Sequence, residues 1–269
     1  MVRYMIHTYP KRLWYVQEYL IPSLLKQGIK EEQIVVYNDE NGDGNLRSCI
    51  NSFLLCDNYD KNDNTWHLQD DVIICSDFKE RIEKLELNKR NQGLIICGFG
   101  SKMYDGDRKD KQGYVVREKM WFSFQCIRIP NKYAVECSKF IENEILTNPI
   151  YHKFTKGGRN DDWAFRKFLE IKYPDITALN LIPNLVDHID YLIGNGSGGK
   201  RKDILCSQYF KEYSYLVEEL TNSLINDGHE DYVNDYFDYK KKLEEERLLK
   251  IEKNKKKKRI TYQDEDVYV

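Results

Sequence analysis

Along the chain the spacing of apolar residues switches between a period of two and a period near 3.6, about every 15 residues, and each switch marks an expected element. Residues 3–8 (RYMIHT) read as a first strand that ends in the polar turn TYPKR. Leu13, Val16, Leu20, Leu24 and Leu25 then recur at helical spacing, and Gly28 is placed to stop that helix. QIVVY at 33–37 is a short β-branched strand followed by Asn38, Asp39 and the turn-rich NDENGDGN, after which residues 46–55 read as a helix. A polar loop leads from it to the strand-like WHLQDDVIIC. The order β, α, β, α, β predicts an α/β domain with a mostly parallel, Rossmann-like central sheet flanked by helices. Ligands of such sheets bind outside the carboxyl ends of the strands, where Thr8, Asp39, Asp70 and Asp71 fall.

Downstream, residues 78–87 read as a helix and 93–99 (GLIICGF) as a buried strand, and the polar stretch 101–112 reads as a loop at the same sheet edge. Residues 115–124 with Trp121 and Phe122, a short strand at 127–130 and an amphipathic helix at 132–146 come next. Gly157 and Gly158 introduce RNDDWAFRKFLEIKYP, in which Asn160 is positioned to cap a helix with Asp161 and Asp162 in its first turn. The body closes with the strand-like TALNLIPNLVDHID, the Gly-rich IGNGSGGKR and a helix over 204–224. No internal repeat is visible. The expected domains are a catalytic body over 1–200, a helical extension over 201–239 and a charged helical or disordered tail over 240–269.

Charge changes this picture at the C-terminus. Residues 240–259 hold eleven Lys/Arg against four Asp/Glu and residues 260–269 hold three acids, so the net charge of -2 leaves the first 239 residues at -6. The KNKKKKR block reads as a solvated face or as a contact for nucleic acid or another polyanion. The apolar runs fall far short of the ~20 residues of a membrane helix, and no signal peptide stands at the N-terminus, so a cytoplasmic protein is expected. The seven cysteines are scattered without zinc spacing and read as buried thiols.

Three constellations carry candidate chemistry. Asp70 and Asp71 are adjacent carboxylates that repel unless a cation lies between them, and a divalent metal with oxygen ligands would supply one. Two helix-capping turn aspartates are the competing reading. Asp161 and Asp162 lie where a helix dipole keeps a carboxylate ionised, so that it can act as a general base. His188 follows an apolar segment between Asp187 and Asp190, and the glycines before Lys200 suit phosphate contact but lack a P-loop spacing.

Taken in order, IHTYPKR, YNDENGDGN, HLQDDVIICSDF, NDDWAFRKFLE and IPNLVDHIDYLIG resemble nucleotide-sugar-dependent glycosyltransferases of the GT-A fold, especially the small enzymes of bacteriophages and bacteria. HLQDDV and IPNLVDH are also similar to segments of lipooligosaccharide-type glycosyltransferases. The resemblance spans about residues 3–199. It implies that Thr8, Tyr9 and Arg12 line the nucleotide pocket, that Asp39 holds base or ribose and that Asp70 contacts sugar or ribose. It further implies that Asp71 and His188 hold Mn²⁺ or Mg²⁺, that Lys200 meets the diphosphate, and that Asp162, or else Asp161, deprotonates an acceptor hydroxyl in an inverting transfer. Gln69 stands where that family often has an acid. The partners implied are a UDP- or GDP-linked sugar and an acceptor glycan, protein or hydroxylated DNA base, and a phage-encoded enzyme would act in host cytoplasm. Clustered carboxylates on an α/β sheet also suit a metal-dependent nuclease or phosphoryl transferase, and a non-enzymatic binding module is the third class.

Overall fold

The computed structural model describes residues 2–99, 113–117, 124–151, 160–176, 178–182, 184–189 and 193, and in the C-terminal part 221–226 with scattered helical positions up to 249. The chain divides into two compact units, Met1–Leu216 and Val217–Val269. In the second, residues 221–226 are helical. Among the described residues no helix is long and apolar enough to cross a membrane. The expected 101–112 loop, Trp121 and Phe122, most of the 204–224 helix, Lys200, Cys206 and nearly all of the basic tail lie outside the described residues.

The first unit is built on a seven-stranded sheet in the order β2-β1-β3-β7-β5-β8-β6. Its members are β1 (Arg3–Thr8), β2 (Ile34–Asn38), β3 (Asn64–Gln69), β5 (Ile95–Cys97), β6 (Gly113–Arg117), β7 (Cys126–Pro130) and β8 (Ala178–Ile182). β1 pairs in parallel with both β2 and β3, and β5 with β8, whereas β7 runs antiparallel between β3 and β5 and β6 is an antiparallel edge. Five of the seven strands therefore point one way, as the α/β reading requires.

β7 divides the parallel strands into two groups, which the βαβ pattern does not foretell. WHLQDDVIIC also differs from expectation. It is two strands, β3 and then β4 (Val72–Ile74), and β4 leaves the main sheet to pair antiparallel with β9 (Val186–His188). The aspartates form the turn between them. A carboxylate pair disfavours the half-buried pleat of a strand, so the apolar run breaks there.

Helices cover both faces. The first runs through Leu13–Tyr15, a π-turn at Val16–Leu20 and Ile21–Lys26, and stops where Gly28 adopts φ 82°. On β1 the alternation sends Tyr4 against Phe78 of the helix Phe78–Leu87, and sends His7 against Phe53 of the helix Asn45–Leu55. That second face holds a hydrophobic core in which Phe53, Phe124, Phe165 and Phe168 meet edge to face or tilted. The helices Asn131–Phe140 and Asp161–Lys172 complete it. The six described cysteines are buried free thiols.

Candidate functional site

Parallel pairing of β1 with β3 puts His7 level with Gln69, so the residues that follow both strands emerge at one edge. Thr8 ends β1, and four residues on, Arg12 enters the first helix through a turn closed by its N–H on Tyr9 O (2.9 Å). From there the Arg12 guanidinium reaches back over the end of β3. Its Nη1 donates to Asp70 Oδ1 at 3.0 Å and to Asp71 Oδ2 at 2.8 Å, and Thr8 Oγ1 donates to Asp70 Oδ2 at 3.0 Å. Tyr15, one helical turn beyond Arg12, donates its hydroxyl to Val72 O at 2.8 Å and braces the same turn.

The small β4–β9 sheet supplies the fourth side chain. Val72 and His188 are register partners, and Ile189 N–H donates to Asp71 O at 2.8 Å. His188 Nε2 consequently lies 3.0 Å from Asp71 Oδ2. Thr8, Arg12, Asp70, Asp71 and His188 are all between 4% and 7% exposed. Burial of charge at this depth persists only with compensating partners, and each carboxylate has two, Arg12 and Thr8 at Asp70 and Arg12 and His188 at Asp71. Burial alone would raise the Asp71 carboxyl, but His188 and Arg12 outweigh it and hold it well below the usual range. Burial prevails at Asp70, where Arg12 opposes it and the neighbouring Asp71 charge adds to it, and the carboxyl is pushed up to about 6. Asp71 Oδ1 meets no hydrogen-bond donor among the described residues. An unsatisfied buried polar atom costs ~1–3 kcal/mol and more on a charged group, which marks this oxygen as a place for a ligand atom.

The remaining sequence candidates separate. Tyr9 is half-buried with its ring 5.7 Å from the Arg12 guanidinium. Asp39 is brought to the edge by its N–H on Thr8 O at 2.8 Å, but its two carboxylate oxygens accept from the N–H groups of Asp43 (3.1 Å) and Gly44 (3.0 Å) and so shape its own loop. Gln69 holds Gln125, whose Nε2 donates to Gln69 Oε1 at 3.0 Å. Asn160 does not cap as expected: it takes the left-handed conformation at φ 69° and its side chain makes no capping bond.

Asp161 and Asp162 occupy the first turn of their helix as the sequence implies. Asp161 keeps partial exposure, yet burial first and the negative charge of Asp162 second push its carboxyl up to about 7, against backbone N–H groups that pull it down. The charge of Asp71 also reaches Asp161, which ties this helix start electrostatically to the cluster. Asp162 Oδ1 accepts from Trp163 N–H at 2.7 Å.

Sequence reasoning missed Tyr15, and also the pair His7 and His67. His7 Nε2 and His67 Nδ1 lie 2.9 Å apart beneath the site, and Ser52 Oγ lies 3.1 Å from His7 Nδ1. Helical spacing from Arg12 to Tyr15 could have signalled the first, since i and i+3 share a helix face. Among the described residues no three His, Cys, Asp or Glu side chains converge as a closed metal cage. One carboxylate with an oxygen lacking a donor and one imidazole suit a different arrangement, a Mn²⁺ or Mg²⁺ ion that completes its shell with substrate and water.

Neither a family model nor a curated protein matches the chain. Among solved structures, it is similar to A197 from STIV, at 16% identity over 69% of this chain and 83% of that one, with a TM-score of 0.37. It is also similar to the galactosyltransferase LgtC in complex with donor and acceptor sugar analogs, at 11% identity over 81% of this chain and 96% of that one, with a TM-score of 0.36. Likenesses at these scores carry no argument for chemistry, which rests on the residues.

Proposed function

We propose that the chain is a nucleotide-sugar-dependent glycosyltransferase of the GT-A kind. It would transfer a sugar from a UDP- or GDP-linked donor to an acceptor hydroxyl with inversion. The observation that carries the reading is the convergence of Thr8, Arg12, Asp70, Asp71 and His188 at the carboxyl edge of β1 and β3, with an ionisable Asp161 in electrostatic reach.

Asp71 and His188 would hold Mn²⁺ or Mg²⁺, which when bound supplies Lewis-acid stabilisation of a leaving diphosphate. Thr8, Arg12 and Asp70 keep the edge of the site rigid, and Tyr9 offers a half-buried ring beside it. Asp161 replaces Asp162 as the favoured base. A general base works best with a pKa near the operating pH, and the Asp161 carboxyl at about 7 meets that condition. Protonated Asp161 cannot accept the acceptor's proton, so kcat/KM should fall about tenfold per pH unit below about 7 and level off above it. The acceptor class, whether glycan, protein or hydroxylated DNA base, belongs to the same proposal, with Lys200 as a contact of the donor diphosphate and the basic tail as a contact of a nucleic-acid acceptor.

The test is transfer and hydrolysis of UDP- and GDP-sugars with Mn²⁺ across pH 5–9. Asp161→Asn should lose about 10²-fold or more and its residual rate should lack the limb near pH 7. Asp162→Asn should keep that limb. Equal activity of wild type, Asp161→Asn and Asp71→Ala on every donor would refute the reading.

A further inference from the structure

A cation already sits between the two adjacent carboxylates, and it belongs to the protein. Arg12 Nη1 is 3.0 Å from Asp70 Oδ1 and 2.8 Å from Asp71 Oδ2, and the Asp71 oxygen it touches is the same one that His188 approaches at 3.0 Å. Arg12 is 4% exposed, and a guanidinium does not deprotonate in proteins. Two aspartates and one arginine leave a formal charge of -1 for a divalent ion to meet. That ion would also lie within a few ångströms of the guanidinium, which repels it. The one Asp71 oxygen without a donor, Oδ1, remains as its foothold.

We infer that Arg12 is a positioning residue that sets the metal affinity of the site: by occupying carboxylate oxygens of Asp70 and Asp71 it makes divalent-cation binding weak until an anionic diphosphate joins. The inference rests on the glycosyltransferase reading for its metal and its diphosphate. Arg12 fixes both carboxylates, so their geometry is held without a metal and their affinity for a cation alone stays low. A diphosphate brings the negative charge that the cluster lacks, and cation and nucleotide then bind as a unit. Linkage makes the effect reciprocal: Mn²⁺ tightens UDP or GDP by the factor by which either tightens Mn²⁺.

The experiment measures bound Mn²⁺ by its electron paramagnetic resonance signal on the full chain, alone and with UDP or GDP, corrected for the Mn²⁺–nucleotide complex in solution. For the wild type, UDP or GDP should tighten Mn²⁺ by about tenfold or more. Arg12→Gln should bind Mn²⁺ alone about tenfold or more tightly than the wild type, as removal of one charge ~4 Å away requires at an effective dielectric below that of water. Asp71→Ala added to Arg12→Gln should remove that gain. If far-UV circular dichroism shows Arg12→Gln to be unfolded, Arg12→Lys serves instead. Its ammonium lacks the planar fork, and the gain should be about threefold. Equal Mn²⁺ affinity in the wild type and the Arg12 variant overturns the inference and leaves the metal reading standing. No Mn²⁺ bound by any of the proteins, with or without UDP or GDP, overturns both.

Discussion

Arg128 and Arg12 are each almost wholly buried, at 1% and 4% exposure, and each meets a carboxylate, but only at Arg128 does one cation answer one anion. Arg128 lies on β7 opposite Trp66 of β3. Its Nε is 2.8 Å from Glu86 Oε1, its Nη2 donates to Glu86 Oε2 at 3.0 Å and its Nη1 to Asn91 O at 2.7 Å, while Trp66 Nε1 donates to Glu86 Oε1 at 2.9 Å. One cation meets one anion, by a hydrogen bond from Nη2 and by an ion-pair contact from Nε that lacks hydrogen-bond alignment, and the Asn91 C=O and Trp66 N–H groups add to the pair. At Arg12 one cation serves two anions, a histidine leans on the same oxygen, and Asp71 Oδ1 has no donor among the described residues. The balanced cluster holds the helix Phe78–Leu87 to the sheet. The open one, with an anion in excess, has capacity left for a ligand.

Breaking each cluster separates them most widely. Glu86→Ala strands the Arg128 guanidinium in the interior and should cost about 3–5 kcal/mol in urea unfolding. Asp71→Ala takes a partner from His188 but leaves Arg12 on Asp70 and removes an unsatisfied oxygen, so its stability cost should stay below that of Glu86→Ala. Sugar transfer by Asp71→Ala should nonetheless fall by about 10³-fold, the scale of losing electrostatic stabilisation at a reacting centre. An Asp71→Ala protein as destabilised as Glu86→Ala would make the two clusters equivalent and end the contrast.

The histidine pair tests whether a missing partner alone identifies a site. His67 Nε2 also lacks a partner among the described residues, but burial holds both rings neutral: His7 is lowered to about 4 and His67 well below its usual value. No charge is available there to recruit a ligand. The expected consequence is thermodynamic. The unfolded chain takes up protons near pH 6.5 and the folded one does not, so stability is full above that pH and is lost as pH falls toward 4. His7 alone accounts for about 3 kcal/mol across that window. Urea midpoints at pH 7 and pH 4.5 measure it, and His7→Gln combined with His67→Leu should flatten the slope.

What the sequence disclosed follows from the range of the interactions. RYMIHT, with its alternating pattern, forms β1 over the expected residues, because a strand's period is local. The helix starting at Asp161 and the stop at Gly28 are local as well. Asp70 and Asp71 were legible as a pair needing a cation. That the cation is Arg12 was not, since its partners lie 58 and 59 residues away and depend on the β1–β3 register. β7 is buried throughout as CIRIP, and an all-buried strand reads alike whether it runs parallel or antiparallel. The preference proposed for Asp161 over Asp162 rests on surroundings that spacing does not report.

The smallest effect lies at Gly98, where the open cluster depends on close packing rather than charge. A Cβ at Gly98 would sit 2.6 Å from Cys126 Sγ and 3.0 Å from Leu185 Cδ1. Gly98 N–H donates to Cys126 O at 2.8 Å, and Leu185 N–H donates to Gly98 O at 2.7 Å, so this residue anchors the segment that leads into β9 and His188. Gly98→Ala must push Leu185 or Cys126 aside, and overpacking of this kind costs about 1–3 kcal/mol. The thiol is the closer obstacle, so Cys126→Ala in the same chain should return part of that loss, by a coupling of about 1 kcal/mol in a double-mutant cycle. If Leu185 moves instead, His188 moves with it. Gly98→Ala would then impair transfer beyond its stability cost, and Cys126→Ala would restore stability and activity together.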